Sequence, residues 1–311
     1  METKAWKDYE LSRMMLGTVQ FGLPYGVANR TGQPSADEVR DMVAAALEGG
    51  VNGFDTAAAY GTSEEVLGRA LRELKAADRV VVVTKVRALT PAELGDRQLA
   101  VQAIRQSVET SRQRLGIDCL PLVLFHREAD GRYLEELLAL RDRGWLREAG
   151  VSCDNRPGPA AGYAAGGLAA ALQIPGNLLD PRHARAGSFR TAAAHGVAVF
   201  VRSVYLQGLL AMPEADIPAT LQGLVPVRRR LEAIAGEAGL PLTELAVRAM
   251  LSLEGVTCVL TGVETLAQLR GNLALFNQGP LPADLLAAVD AAVPELPEAW
   301  ITPSMWPSLK S

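Results

Sequence analysis

The feature of this 311-residue chain that most restricts its fold is a regular alternation of short apolar runs and longer amphipathic segments. Eight short apolar runs have the length of strands, and segments with helical spacing of apolar residues follow them. Several runs are apolar on both faces, as parallel strands covered by helices are. The predicted strands are 13–19, 51–55, 80–85, 120–126, 147–152, 167–174, 197–203 and 256–262.

The predicted helices complete this pattern. Two of them lie between the seventh and eighth strands, and two follow the eighth. Gly116 and Gly144 directly follow predicted helices, and glycine is the residue most often found where a helix ends. Thr62 and Glu65 have the spacing of a capping box at the start of the second helix. The predicted helices are 35–47, 62–74, 96–115, 132–143, 158–165, 181–195, 225–238, 243–253, 265–276 and 282–293.

The uninterrupted alternation predicts an α/β fold in which eight parallel strands close into a (β/α)8 TIM barrel. An open doubly wound sheet is the alternative, but it would normally carry a glycine-rich phosphate loop after its first strand. No G-x-G-x-x-G opens a helix here. Barrels of this kind reach this length as one domain. We therefore expect a single domain over 1–311, with extra helices before and after the last strand and a C-terminal tail over the barrel mouth.

Composition excludes several classes of partner. The formal net charge of −4 argues against a nucleic-acid or anionic-membrane partner. The three cysteines share no short spacing, so they predict neither a metal site nor a disulfide framework, which fits a reducing compartment. No signal peptide or membrane-spanning run is recognisable. We expect a cytoplasmic protein that is a monomer or a small homo-oligomer and holds no metal.

Four polar side chains are predicted to meet at one end of the barrel. Asp55, Lys85 and His126 end the second, third and fourth strands, and Tyr60 follows the second. Active sites of such barrels lie at the carboxyl ends of the strands. A phenol is a weak acid at neutral pH, and a neighbouring ammonium strengthens it by stabilising the phenolate. Asp55 would hold Lys85 in its charged form, and His126 would orient an incoming oxygen. The set suits reduction of a carbonyl, with the proton from Tyr60 and the hydride from a nicotinamide.

The loop between Asp55 and Tyr60 has a mechanical task. The small residues at 56–59 let the chain turn tightly and bring Tyr60 back over the barrel mouth. The capping box of Thr62 and Glu65 is then expected to set where the next helix begins.

The chain resembles the aldo-keto reductases nearly end to end. The resemblance implies that Tyr60 is the general acid/base and that Asp55, Lys85 and His126 complete a catalytic tetrad. It implies an NAD(P)H-dependent oxidoreductase that reduces an aldehyde, a ketone or an open-chain sugar to an alcohol. The matching segments are Leu16-Gly17-Thr18, Asp55-Thr56-Ala57, Tyr60-Gly61, Ser63-Glu64, Thr84-Lys85, His126-Arg127, Gly150-Val151-Ser152, Gln173, Gln207-Gly208-Leu209-Leu210 and Gly262 with Gln268 and Asn272.

Other functions remain open at this point. The same site could work mainly in the oxidative direction, as a sugar or alcohol dehydrogenase. The family fold also serves as an auxiliary subunit of ion channels, so a nucleotide-sensing subunit without turnover is a second alternative. A hydrolase with paired carboxylates is disfavoured because no second acid accompanies Asp55 at the predicted rim.

The resemblance also implies a cofactor site. Ser152 and Gln173 match residues that hold the nicotinamide carboxamide, although Cys153 stands where an asparagine is expected. Arg202 stands where many members stack a tyrosine on the nicotinamide, and a guanidinium can also stack on a planar ring. The remaining cofactor positions are Gly17, Thr18, Ser203, Gln207, Gly208, Gly262, Val263, Glu264, Gln268 and Asn272.

The preference between the two nicotinamide cofactors depends on the turn after the eighth strand. A helix start there offers free N–H groups to a phosphate. The family default is NADP(H), and NAD(H) is the alternative because Glu264 is acidic where many members carry cations. A carboxylate repels a 2′-phosphate and can accept a hydrogen bond from a 2′-hydroxyl. We expect only modest discrimination, and a thousandfold preference for NADPH in measured dissociation constants would contradict this.

Substrate positions are less defined by the sequence. Val19, Phe21 and Tyr25 lie on the first predicted loop, Arg127 follows His126, and Trp300 is in the tail. Arg127 could meet an anionic or hydroxylated substrate, or it could pair with an acid three residues later. The loop 20–34 could act as a lid. None of these positions selects a substrate.

Overall fold

The computed structural model describes residues 1–306 and contains the predicted closed barrel, so the (β/α)8 fold class is confirmed. An N-terminal antiparallel hairpin, formed by β1 and β2, precedes the barrel. The eight barrel strands are parallel, and β10 closes the ring by pairing with both β3 and β9. The strands are β1 Thr3–Trp6, β2 Tyr9–Ser12, β3 Met14–Gly17, β4 Gly53–Asp55, β5 Val81–Val86, β6 Leu120–Phe125, β7 Leu146–Ser152, β8 Ala171–Pro175, β9 Ala198–Arg202 and β10 Val256–Gly262.

The helices lie outside the barrel and largely match the predicted ones. They are α1 Val19–Gly22, α2 Ala36–Glu48, α3 Ser63–Glu73, α4 Pro91–Gly95, α5 Arg97–Leu115, α6 Leu134–Arg141, α7 Gly158–Ala165, α8 Arg182–Arg185, α9 Ser188–Ala194, α10 Val225–Glu237, α11 Leu242–Ser252, α12 Leu266–Phe276, α13 Ala283–Ala292 and α14 Glu298–Ile301. Short 3-10 turns span Glu128–Tyr133, Glu214–Asp216, Ala219–Leu224 and Pro303–Met305. Among the helices of this described region, none is both long and apolar enough to cross a bilayer.

Two predicted helices differ in detail. The helix expected over 132–143 begins as a 3-10 turn at Glu128 and becomes α-helical at Leu134. The helix expected over 181–195 is two short helices, because Gly187 between them has a φ of 74°. A residue in the left-handed region interrupts the hydrogen-bond ladder of a right-handed helix.

The capping box predicted for Thr62 and Glu65 is wrong. Thr62 precedes α3 with φ −91° and ψ 7°, and its side chain makes no capping bond. A capping side chain needs an extended backbone at that position, which Thr62 lacks. The start of α3 is held by Ser63 instead, whose hydroxyl donates to the Thr18 carbonyl at 2.7 Å and accepts from the Thr56 hydroxyl at 3.0 Å. The helix that follows the loop between Asp55 and Tyr60 is therefore anchored to the barrel rim.

The apolar core has two parts. One lies between the barrel and its helices, and the other fills the barrel interior. The N-terminal hairpin, which the sequence did not predict, contributes Trp6 and Leu11 to the interior core. The Trp6 indole donates to the Ala170 carbonyl at 3.2 Å, just before β8 begins. The hairpin thus covers the amino-terminal end of the barrel and leaves the opposite rim as its open end.

The C-terminal tail packs against loops that follow β7 and β8. Glu298 forms ion pairs with Arg156 at 2.9 Å and Arg182 at 3.4 Å, and Arg182 also donates to the Thr302 hydroxyl at 3.0 Å. The last five residues of the single-domain expectation, 307–311, lie outside the described residues.

Candidate active site

A buried ion pair forms the base of the candidate site. The Lys85 ammonium lies 2.7 Å and 2.8 Å from the two carboxylate oxygens of Asp55, and it donates to the Thr56 carbonyl at 2.9 Å. Burial disfavours the charged ammonium, but Asp55 and Tyr60 more than offset this, so the pKa of Lys85 is raised above its ordinary value. The Gln173 amide donates to the same carboxylate at 2.7 Å. Lys85 is thus held in its charged form.

Tyr60 lies directly above this pair. The Lys85 ammonium is 4.9 Å from the centroid of the Tyr60 ring. The His126 ring meets Tyr60 edge-on, with centroids 5.4 Å apart and an interplanar angle of 88°. The turn between Asp55 and Tyr60 is closed by a 3.0 Å bond from the Tyr60 N–H to the Ala57 carbonyl, and Gly61 has a φ of 57°. The tight loop therefore brings the phenol over the rim, as its small residues predict.

The imidazole of His126 is neutral over the physiological pH range. Burial lowers its pKa to about 3, with further lowering by the positive charges of Lys85 and Arg202. A neutral imidazole can donate or accept a hydrogen bond, according to its tautomer, without carrying charge. His126 is therefore suited to orient an oxygen and unsuited to serve as a proton reservoir.

Asp55, Tyr60 and His126 line a cleft of about 640 Å³ at the carboxyl ends of the strands, and Lys85 is buried behind it. The cleft runs from Tyr60 and His126 to the loop between β10 and α12. Twelve of the thirteen predicted cofactor positions line it: Gly17, Thr18, Ser152, Gln173, Arg202, Ser203, Gln207, Gly208, Gly262, Glu264, Gln268 and Asn272. The exception is Val263, whose side chain is buried in the apolar core between the barrel and its helices. Its neighbours on either side, Gly262 and Glu264, face the cleft.

Several residues of the cleft were missed at the sequence level. Gln20, Tyr205, Thr243 and Thr261 all line it. Tyr205 donates to the Asn272 side chain at 2.9 Å, and it belongs to the same segment as Arg202 and Gln207. That neighbourhood was the only signal for Tyr205, and the same kind of signal existed for Gln20, between Val19 and Phe21, and for Thr261, directly before Gly262. The sequence offers none for Thr243. The Gln20 Oε1 and Thr261 Oγ1 atoms are buried without a hydrogen-bond partner.

The backbone after β9 adopts unusual angles beside the cleft. Ser203, Leu206 and Gln207 have φ values of 65°, 47° and 54°, in the left-handed region that non-glycine residues seldom occupy. Such strain persists only where the surrounding structure enforces it, and it concentrates at binding sites. The backbone of this segment is therefore strained locally, and its conformation is the one that places its residues at the cleft wall.

The predicted substrate positions divide into two groups. Val19 and Tyr25 line the cleft. Phe21, Arg127 and Trp300 do not. Phe21 is fully buried in the core. The Arg127 guanidinium pairs with Asp130 at 2.6 Å and donates to the Leu89 carbonyl at 3.0 Å.

Trp300 is placed away from the cleft by its contacts. Its ring packs over the backbone of Gly223, which has no side chain to keep it away. Its carbonyl accepts from the Trp306 indole at 3.1 Å. Trp300 therefore contacts Trp306 and the 3-10 turn Ala219–Leu224.

The loop before α2 lies across the cleft. Tyr25, Gly26 and Ala28 line it, and an added Cβ on Gly208 would collide with Ala28. The Thr31 hydroxyl contacts the Glu264 carboxylate at 3.4 Å. The loop thus reaches both the segment after β9 and the one after β10, which is the placement that a lid requires.

Comparison with known sequences identifies the family to which the chain belongs. The sequence profile described as "Aldo/keto reductase family" matches residues 13–294, which is most of the chain. The chain belongs to the aldo/keto reductase family. Members of this family are oxidoreductases that generally use nicotinamide cofactors. Among the described residues, the structure contains no group of three or more His, Cys, Asp or Glu side chains placed to hold a metal ion.

Individual relatives span different parts of this aldo/keto reductase. A probable voltage-gated potassium channel subunit beta from Arabidopsis thaliana is 25% identical over 95% of this chain and 99% of its own length. An NADH-specific methylglyoxal reductase from Escherichia coli is 36% identical over 38% of this chain and 39% of its own. The holo form of an aldo-keto reductase from Bacillus halodurans superposes with a TM-score of 0.78 at 22% identity, covering 96% of this chain and 99% of that one. The last comparison shows a shared fold.

Proposed function

We propose that this protein is an NAD(P)H-dependent oxidoreductase that reduces the carbonyl of an aldehyde, a ketone or an open-chain sugar to an alcohol. The observation that carries the proposal is the buried Lys85–Asp55 pair beneath Tyr60, at 2.7 Å, with His126 beside the phenol. This combination provides a proton donor and a neutral hydrogen-bonding group at one end of a cleft large enough for a ligand.

Each side chain has a defined task in this proposal. The carbonyl oxygen is held between the Tyr60 hydroxyl and the His126 imidazole. Tyr60 gives its proton as negative charge develops on that oxygen, and the Lys85 ammonium stabilises the phenolate that remains. Asp55 and the Thr56 carbonyl keep the ammonium charged and in position. A bound nicotinamide supplies the hydride.

The cleft has features that fit a dinucleotide. Gln20 Oε1 and Thr261 Oγ1 are buried at its wall without partners, and a ligand with hydrogen-bond donors would satisfy them. Glycine backbones line several stretches of the wall, where a phosphate can approach closely. Ser152 and Gln173 are proposed to hold the nicotinamide carboxamide. One N–H of the Gln173 amide is used by Asp55, and the other and the carbonyl are left for a ligand.

Glu264 supports tolerance of NAD(H) beside NADP(H). This carboxylate lines the cleft at the turn before α12, and burial raises its pKa. Among the cleft-lining residues of 1–306, Arg202 is the only lysine or arginine, so no cation at the turn would receive a 2′-phosphate. The Escherichia coli relative is named as NADH-specific. We propose that NADPH and NADH dissociation constants differ by far less than a thousandfold.

The decisive experiment is NAD(P)H oxidation over a panel of aldehydes, ketones and sugars, with Tyr60→Phe beside the wild type. Loss of the proton donor should reduce turnover by about 10²–10⁴-fold while dinucleotide binding is retained. Tyr133→Phe, a buried tyrosine outside the cleft, is the matched control and should keep wild-type turnover. Equal turnover of wild type and Tyr60→Phe would show that Tyr60 is not the proton donor.

A second candidate is a nucleotide-sensing subunit without turnover. It is favoured by the similarity to the plant channel subunit, which extends over 95% of this chain. The intact set of Asp55, Tyr60, Lys85 and His126 favours catalysis. A wild type that binds dinucleotide yet reduces nothing across the panel, and oxidises no alcohol or sugar in reverse, would favour the sensor.

A further inference from the structure

Arg202 has hydrogen-bonding capacity that the structure does not use. It ends β9 and is partly buried at the cleft wall. One terminal nitrogen donates to the Cys153 carbonyl at 2.9 Å, and the other donates to the Ser203 hydroxyl at 3.2 Å. A guanidinium has five N–H donors, so three are left. Both partners are neutral, and neither compensates the positive charge.

Other arginines near the open rim are paired with acids. Arg127 contacts Asp130 at 2.6 Å, and Arg182 contacts Asp180 at 2.7 Å. No carboxylate lies within 4.0 Å of Arg202 among the acids of residues 1–306. Its charge is therefore available to a ligand in the cleft.

Glu128 is the acid best placed to neutralise the charge of Arg202, but this neutralisation is incomplete. Its carboxyl is buried, and its Oε1 has no hydrogen-bond partner. Burial and the nearby Asp154 raise its pKa to about 7, so this carboxyl carries its proton at acidic pH. Glu128 is not in ion-pair contact with Arg202, since none of the ion pairs within 4.0 Å among residues 1–306 includes Arg202.

The charge of Arg202 acts at the catalytic end of the cleft. It contributes to the lowered pKa of His126, and it opposes the rise that burial causes in the pKa of Tyr25. Both residues line the cleft with Arg202 and Tyr60. A charge within electrostatic reach of His126 is within reach of a substituent on a carbonyl that His126 orients. In a partly buried site such an attraction is several times stronger than in water.

We propose that the substrate carries a carboxylate or a phosphate in addition to its carbonyl, and that Arg202 receives this anion. The proposal rests on carbonyl reduction at Tyr60 and adds a substrate class to it. A planar guanidinium suits either anion, because its N–H groups can bind two oxygens at once. Stacking on a nicotinamide would use the face of the same group, so the cofactor role predicted for Arg202 is compatible with it.

The test uses aldehydes paired as acid and primary amide, which differ in charge at nearly constant shape. Suitable pairs are 4-carboxybenzaldehyde with 4-carbamoylbenzaldehyde, and succinic semialdehyde with 4-oxobutanamide. For at least one pair, the wild type should show a kcat/KM at least tenfold higher for the acid. Arg202→Gln should abolish this preference, because kcat/KM for the acid should fall at least tenfold more than kcat/KM for the amide, and Arg202→Lys should restore part of it.

Arg190→Gln is the matched control. Arg190 is exposed on α9 and does not line the cleft, and its replacement changes the net charge equally. The acid preference should persist in this variant. Loss of preference in both variants would indicate a general effect of net charge and would overturn the proposal.

The anion could instead be a phosphate of the dinucleotide, and the same variants separate the two sources. If Arg202 serves only the cofactor, Arg202→Gln raises the dinucleotide dissociation constant and slows acid and amide equally, which overturns the proposal. Absence of any acid preference in the wild type also overturns it.

Failure of the reductase function itself would be recognised separately. Calorimetry with 4-(hydroxymethyl)benzoate and 4-(hydroxymethyl)benzamide, with and without NADP⁺, needs no turnover. Tighter binding of the benzoate that is lost in Arg202→Gln supports the anion site even in a protein that reduces nothing. Equal binding of both compounds contradicts it.

Discussion

At the scale of single residues, the site depends on groups whose charge is controlled by burial. Lys85 stays charged because Asp55 faces it at 2.7 Å. His126 stays neutral because burial, and to a smaller extent the charges of Lys85 and Arg202, lower its pKa. Behind them, Glu128 lies beside Cys153, whose pKa is raised by burial and by this acid. Glu128 is the one of these groups that changes charge near neutral pH.

Glu128→Gln should stabilise the protein in a pH-dependent way. The folded-state pKa of about 7 lies above the ordinary 4.5, so the folded protein keeps a proton that the unfolded chain releases between these values. The stability that Glu128 provides is therefore present below pH 4.5 and lost as pH rises to 7. A glutamine at this position does not ionise, so it loses no stability as pH rises. The free energy of unfolding in urea should exceed that of the wild type by about 1–3 kcal/mol at pH 8.

Comparison at two pH values checks this directly. The advantage of Glu128→Gln should shrink towards zero at pH 4.5, while Glu135→Gln on the exposed face of α6 should stay within about 0.5 kcal/mol at both. An equal advantage at pH 8 and pH 4.5 would mean that Glu128 is not protonated on folding.

At the scale of elements, the loop that carries Tyr60 is held by backbone packed against backbone. Gly22 ends α1 at the point where the loop passes from Tyr60 into α3. A Cβ at this position would collide with the Tyr60 carbonyl and the Ser63 nitrogen, and it would lie 2.9 Å from the Thr62 nitrogen. Backbone cannot move aside as a flexible side chain can. Contact with α1 therefore fixes the position of Tyr60 relative to Lys85.

Gly22→Ala should therefore damage activity as well as stability. Overpacking of this kind costs about 1–3 kcal/mol, and a misplacement of about 1 Å can lower turnover by about 10²-fold. We expect a loss of more than tenfold in kcat/KM, measured at a temperature where both proteins are folded. Gly162→Ala on α7, where an added Cβ has no neighbour within 4 Å, should instead be stabilising by about 0.5–1 kcal/mol. Unchanged kinetics in Gly22→Ala would show that the loop is positioned by other contacts.

At the scale of the whole molecule, the two ends of the barrel have separate tasks. The N-terminal hairpin fills one end with Trp6, which is 6% exposed and meets Phe200 edge-on at 5.8 Å. The open end carries the loops that form the cleft. Layers of apolar side chains inside the barrel lie between the two ends. Stability and chemistry are therefore separable, as in other barrels of this architecture.

Trp6→Ala should lower the free energy of unfolding by about 3–5 kcal/mol, because it removes a buried aromatic ring and leaves a cavity at the closed end. Turnover of the protein that remains folded should stay within about threefold of wild type, since Trp6 does not line the cleft. Denaturant unfolding and steady-state kinetics on the same preparation measure both quantities. A large fall in kcat/KM with little loss of stability would contradict the separation.

The sequence by itself determined the barrel and the location of the candidate site. Strand and helix periodicity is a local property, and Asp55, Lys85 and His126 could be placed because each ends or directly follows an apolar run. Once eight parallel strands are inferred, their carboxyl ends must share a rim. Tyr60 could be placed because it lies only five residues beyond Asp55.

Only the tertiary structure decided which side chains meet across the barrel. The bond from Gln173 to Asp55 joins residues 118 apart in sequence, and no local pattern encodes it. Asp130 holds Arg127 outside the cleft, and Ser63 anchors α3. Both placements likewise depend on partners that only the three-dimensional structure brings together. The same reason explains the N-terminal hairpin, since the isolated Trp6 becomes a core residue only when the barrel offers an end to cover. Closure of the barrel also placed Arg202 at the cleft wall with no carboxylate of residues 1–306 within 4.0 Å.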